Sequence, residues 1–123
     1  MTKILIAEDD KDIRDLVVLT LQFNGFDVTS VEDGAAAVEK AQSDTFDIIL
    51  MDVRMPRMTG YEACRRLKEI EHTANIPVIF LSAKGQDTEI QTGIEAGASD
   101  YILKPFSPDE LVEKINKILK LAG

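Results

Sequence analysis

Apolar residues in this chain fall into short runs separated by stretches with helical spacing. Residues 4–7, 26–31, 46–51, 76–81 and 101–103 are rich in β-branched or aromatic side chains, and each is predicted to be a strand. Ile13, Leu16, Val17, Thr20 and Leu21 share one face of a first helix, which Asn24-Gly25 stops. Ala37, Val38 and Ala41 mark a second helix, and Ala63, Leu67 and Ile70 a third. Ile90 and Ile94 mark a fourth over residues 86–96, and Leu111, Ile115, Ile118 and Leu119 a fifth. Capping boxes open two of these, Thr59-Gly-Tyr-Glu62 and Ser107-Pro-Asp-Glu110, the latter with Pro108 at the first helical position.

Strand and helix thus alternate five times, which implies right-handed βαβ crossovers and a parallel sheet covered by helices on both faces. The fold class is α/β, a doubly wound (βα)5 domain. The runs at 4–7, 46–51 and 76–81 are almost continuously apolar, as central strands buried on both sides should be. No linker or low-complexity segment interrupts the rhythm, so residues 1–123 read as a single domain.

Composition narrows the function. An apolar fraction of 45% with 29% charged residues is that of a globular chain, not a disordered one. A net charge of -8 repels nucleic acid and anionic membrane, so neither is an expected direct partner. The lone Cys64 excludes an internal disulfide and a cysteine-based zinc site. No apolar run approaches the length needed to span a bilayer, and MTKILIAEDD meets acids too early for a secretory signal. A soluble, cytoplasmic protein is expected.

Ligands of open parallel sheets bind beyond the carboxyl ends of the strands. The first strand ends in Glu8-Asp9-Asp10, the third in Asp52, the fourth in Ser82 and the fifth in Lys104. The second ends in Glu32-Asp33, which reads as a solvated turn. Adjacent carboxylates repel by about 4 kcal/mol per pair at ~4 Å in an effective dielectric of ~20. Glu8, Asp9 and Asp52 would therefore need a cation among them, and oxygen ligands without histidine or thiolate suit Mg²⁺, with Mn²⁺ the alternative. Magnesium prefers one or two carboxylates plus a phosphate, which the cleft would supply if its substrate were a phosphoryl group. Lys104 and Ser82 would bind its oxygens, and Asp52 could be the nucleophile. Asp10 reads as a cap on the first helix.

These residues together resemble the receiver domain of bacterial response regulators, the chemotaxis-regulator fold. Glu8-Asp9, Met51-Asp52-Val-Arg-Met-Pro56 followed by Thr59-Gly60, Leu81-Ser82-Ala83, Gly97-Ala98 and Lys104-Pro105-Phe106 carry the likeness, which runs over residues 3–121. The resemblance implies a flavodoxin-like strand order 2-1-3-4-5. It implies that Asp52 accepts a phosphoryl group from a phosphohistidine on a sensor histidine kinase or phosphotransfer protein. Asp9, Asp52 and the backbone carbonyl of Arg54 would hold Mg²⁺, with Glu8 acting through a metal-bound water. Ser82 and Lys104 would bind phosphoryl oxygens, and a cis Lys104-Pro105 bond would aim the lysine. Tyr101 matches an aromatic that changes rotamer with Ser82. The face formed by the fourth helix, fifth strand and fifth helix would then meet a downstream effector.

The likeness also implies a phosphorylation-controlled switch that assists its own phosphorylation and hydrolysis, not an enzyme turning over a metabolite. Arg54 and Lys84 border the phosphate position and are expected to modulate its lifetime. Residues 86–96 contain no Lys or Arg, whereas receivers dimerising before winged-helix DNA-binding domains carry basic residues there, which argues against that subclass. The enzyme alternative is a Mg-dependent aspartyl-phosphate phosphatase, but that mechanism wants an acid where Arg54 stands. A flavodoxin-like cofactor protein would place its flavin phosphate against the three acids. Cys64 reads as a semi-buried apolar residue, His72 as part of a polar turn, and Lys114, Lys117 and Lys120 as a solvated stripe on the last helix.

Overall fold

The computed structural model describes residues 1–83 and 94–122. Its strands are β1 (Lys3–Ala7), β2 (Asp27–Val31), β3 (Ile48–Asp52), β4 (Val78–Ala83) and β5 (Asp100–Lys104). They form one parallel sheet in the order β2-β1-β3-β4-β5. Helices α1 (Lys11–Phe23), α2 (Gly34–Ser43) and α3 (Gly60–Glu69) follow the first three strands, and the C-terminal helix (Pro108–Ala122) follows the fifth. The expected fold class and strand order are therefore correct.

Side-chain alternation along the strands builds two cores. Leu5, Ala7, Ile49, Met51, Val78 and Phe80 pack on the side of α2 and α3, against Ala37, Val38, Ala41, Ala63, Cys64 and Leu67. Ile4, Ile6, Ile48, Leu50, Ile79 and Leu81 point the other way, onto Val17 and Leu21 of α1 and Leu111, Ile115 and Ile118 of the C-terminal helix. Every residue of β3 is buried, as expected of a strand with neighbours on both edges and helices on both faces. β2 lies at the sheet edge and is only partly covered.

Some boundaries shift from those expected, for local reasons. Phe26 stays outside β2 because its N–H bonds the Leu21 carbonyl at the end of α1, 3.1 Å away. Phe46 is buried but precedes β3, and the exposed Asp47 instead accepts the Lys3 N–H through its side chain at 2.8 Å. Pro77 has no N–H to give a ladder, so β4 starts at Val78 and extends past Leu81 to Ala83. Ser82 and Asp52 consequently lie inside strands, not in the loops after them, and Ser82 pairs in register with Leu103. Leu16 was expected on the inner face of α1 but is 49% exposed, because Val17 and Leu21 meet the sheet. Cys64 is fully buried, not semi-buried, with its thiol 3.4 Å from the Ala96 carbonyl oxygen.

The capping signals hold. Asp10 caps α1 by accepting from the N–H groups of Asp12 and Ile13. Thr59 accepts from Glu62 N–H at 3.2 Å, and Ser107 from Glu110 N–H at 3.1 Å. The expected fourth helix lies mostly outside the described residues. Its end is seen in helical Ile94 and Glu95, with Gly97 at φ +103 donating its N–H to the Ile94 carbonyl.

Candidate functional site

The order β2-β1-β3-β4-β5 puts the ends of β1, β3, β4 and β5 side by side. Glu8 follows β1 and is completely buried, Asp52 closes β3 at 6% exposed, and Ser82 in β4 is 2% exposed. Asp9 stands exposed at the mouth. Carboxylate oxygens of Glu8, Asp9 and Asp52 all lie within 4.8 Å of one another. The strand ends named from the sequence therefore converge on one acidic cleft.

Lys104 enters from the end of β5 and bridges two of the acids. Its Nζ donates to Asp52 Oδ1 at 2.9 Å and lies 3.0 Å from Glu8 Oε1. The Lys104-Pro105 peptide is cis, as the resemblance implied. Contact with Glu8 is an ion pair by distance only, because the buried Oε1 meets no donor in hydrogen-bonding alignment. The second oxygen, Oε2, accepts the Asp10 N–H at 3.3 Å.

One ammonium against three carboxylates leaves the cleft short of positive charge. Burial, then the hydrogen bond and charge of Asp52, push the Glu8 carboxyl from 4.5 up to about 7, with Lys104 opposing. Burial pulls the Lys104 ammonium down, but the hydrogen bond to Asp52 and the nearby Asp52 and Glu8 carboxylates outweigh it, and its pKa is raised. A buried carboxylate oxygen without an aligned donor, beside two further acids and no nitrogen or sulfur ligand, is the donor set of a hard cation such as Mg²⁺.

Tyr101 sits on β5 opposite Phe80, half-buried, and packs against the core on the α2–α3 side. Arg54 follows β3 with an exposed side chain. Lys84 lies outside the described residues. His72 sits in the exposed turn after α3, its Nε2 2.9 Å from the Asp44 carbonyl oxygen, away from the cleft. Lys114 pairs with Asp100 at 3.3 Å and so ties the C-terminal helix to β5, where a free stripe was expected.

Arg57 and Arg14 escaped the sequence reading, and Gly60 entered it only as part of a motif. Gly60 opens α3 directly over the carboxyl end of β3, and a Cβ there would run into the Asp52 carbonyl. Only glycine lets the helix approach the strand so closely. Arg57 adopts φ +67 in the β3–α3 loop, and its guanidinium donates to Asp33 Oδ1 at 3.0 Å. Arg14, one turn into α1, donates to the Glu8 backbone carbonyl at 2.8 Å. Gly60 carried a signal in the Thr59-Gly60 pair; a side chain whose partner is a backbone carbonyl leaves none.

Comparison with known proteins agrees with this geometry. Residues 4–116 match the family described as response regulator receiver domain. The response regulator ArlR of Staphylococcus saprophyticus is 38% identical over 120 residues, 98% of this chain but 53% of the relative. The chain spans about half the length of the curated relatives it matches. Among solved structures, the chemotaxis response regulator CheY4 of Vibrio cholerae superposes with a TM-score of 0.91 at 34% identity, covering 96% of this chain and 98% of that one. The receiver domain of the sensor histidine kinase PA1611 from Pseudomonas aeruginosa PAO1, which has a magnesium ion coordinated in its active site cleft, gives 0.91 at 33% identity, covering 97% and 98%. No helix among the described residues is long and apolar enough to cross a membrane. The buried acid-lysine cleft at the strand ends, the sheet order and these matches together place the chain in the response regulator receiver domain family of two-component signalling.

Proposed function

We propose that Asp52 is the phosphoacceptor of this receiver, charged by the phosphohistidine of a sensor kinase or phosphotransfer protein. The observation that carries this reading is the Lys104 ammonium held on Asp52 Oδ1 at 2.9 Å inside a cluster of three carboxylates. The other carboxylate oxygen of Asp52 attacks phosphorus, the phosphorus–nitrogen bond of the donor breaks, and the donor imidazole leaves with the electron pair. The product is an acyl phosphate on Asp52. Glu8, Asp9, Asp52 and the Arg54 carbonyl would hold Mg²⁺, which when bound supplies positive charge for the phosphoryl oxygens. Lys104 neutralises one phosphoryl oxygen, and the Ser82 hydroxyl donates to another. Water then cleaves the acyl phosphate, so the chain resets itself without converting any external metabolite.

Phosphorylation adds about two negative charges and three acceptor oxygens to the cleft. Ser82 and Lys104 are drawn toward them, and Tyr101, on the strand β5 that neighbours β4, follows. The face they change includes β5 and the C-terminal helix, which we assign to the downstream effector; residues 86–93 of the expected face lie outside the described residues. An aspartyl-phosphate phosphatase would need an acid two residues after Asp52, and Arg54 stands there.

Acetyl phosphate with Mg²⁺ tests the assignment. One phosphoryl mass should be added, released by hydroxylamine, and Asp52→Asn should take up none. An undiminished adduct on that variant refutes it.

A further inference from the structure

Glu8 is fixed from both sides of its peptide. Its N–H extends the β1–β2 ladder to the Val31 carbonyl at 3.1 Å, while its own carbonyl accepts from Arg14 Nη1 at 2.8 Å. The Arg14 side chain is only 13% exposed, and its other nitrogen lies 3.6 Å from Glu32 on the β2–α2 turn. The guanidinium thus spans the loops after β1 and β2, using the planar fork that suits arginine to such bridges. Among the described residues no hydrogen bond holds the exposed Asp9 carboxylate, so the Glu8–Asp9 backbone sets its aim.

We infer that Arg14 is a positioning residue for the cation site: by holding the Glu8 carbonyl it fixes the peptide from which the Glu8 and Asp9 carboxylates project. This rests on the reading of the acidic cleft as a Mg²⁺ site. The site needs such a fixture because three carboxylates within 4.8 Å repel one another and would otherwise swing the loop outward. Partners that orient metal ligands typically influence affinity by about 10–100-fold.

The sign of the effect separates positioning from charge. Arg14 is a cation beside a cation site, so charge alone predicts that its removal tightens Mg²⁺ binding. Loss of position predicts the reverse. Calorimetric titration of Mg²⁺ into the wild type, Arg14→Met, Arg14→Lys and Asp9→Ala measures this, with circular dichroism confirming that each variant is folded. Arg14→Met should bind Mg²⁺ roughly 10-fold more weakly than the wild type. Arg14→Lys, with its charge kept but its fork lost, should fall between them. Equal or tighter binding by Arg14→Met overturns the inference. Should that variant fail to fold, Arg14→Lys decides: weaker binding supports positioning, and wild-type affinity overturns it. Asp9→Ala separates the two levels. If Asp9→Ala binds Mg²⁺ as well as the wild type, the cleft is not the cation site and both readings fall. If it binds weakly while the Arg14 variants bind normally, only the role of Arg14 falls.

Discussion

Asp33 and Asp52 each sit near the carboxyl end of a strand of the same sheet, yet the chain treats them oppositely. Asp33, two residues past β2, caps α2 through the Ala36 N–H at 2.8 Å and pairs with Arg57 at 3.0 Å. Those two partners, the backbone donor first, hold its carboxyl below the usual range. Asp52 shares one lysine with Glu8, and Glu8 is pushed up to about 7. One acid is satisfied by its own neighbourhood; the other belongs to a group that the protein leaves short of positive charge. Acids of the second kind mark a candidate functional site, here the one proposed for a cation and a phosphoryl group.

Removing the shared lysine sharpens this contrast most. Lys104→Met leaves Glu8 and Asp52 buried without their counter-ion, which should cost about 3 kcal/mol of unfolding free energy near neutral pH without Mg²⁺. Magnesium should restore part of that loss, because it replaces the missing charge. Denaturant melts with and without the ion read both, and unchanged stability would mean that the acids are not ion-paired in solution.

The pH dependence should have opposite signs at the two acids. Glu8 has a raised carboxyl, so its stabilising contribution is complete below about 4.5 and lost as pH rises through about 7. Without Mg²⁺ the wild type should therefore weaken over that window, by no more than about 1.4 kcal/mol per pH unit for one proton. Glu8→Gln should remove that slope. Asp33 has a lowered carboxyl, so its contribution is present above its ordinary value of 3.8 and lost on acidification. Asp33→Asn should lessen the acid-side loss and leave the neutral window unchanged. Melting curves from about pH 2 to about pH 8 would break the comparison if both variants altered the same window.

A smaller, kinetic effect concerns Arg54, exposed two residues beyond Asp52. If it shields the acyl phosphate from water, Arg54→Ala should lose phosphate a few-fold faster in a dephosphorylation time course. Equal decay would sink shielding, and slower decay would in addition favour electrostatic assistance of hydrolysis. Lys84, expected to act with it, lies outside the described residues.

The sequence revealed the fold through periodicity: five β-rich runs and the helical spacing between them lead to the parallel sheet that the coordinates show. Asp52, Ser82 and Lys104 were legible because chemistry at strand ends is visible in residue types. Strand edges were less so, since Pro77 and the Phe26 N–H act through backbone hydrogen bonds. Leu16 misled because an apolar residue beside the inner stripe of α1 matches the helical period without facing the sheet. Arg14 was invisible for a related reason. Its partner is the main chain of Glu8, which any residue would provide, and only coordinates bring the two together.

Locating the modified residue tests the central claim most directly. Borohydride reduces an aspartyl phosphate to homoserine, so the protein treated with acetyl phosphate and Mg²⁺ should yield, after reduction and digestion, one peptide with homoserine at position 52. Glu8 and Asp9 should be recovered unchanged, although they lie in the same cleft. Reduction at either of those residues, or none at Asp52 in a protein that gained phosphoryl mass, would contradict the account.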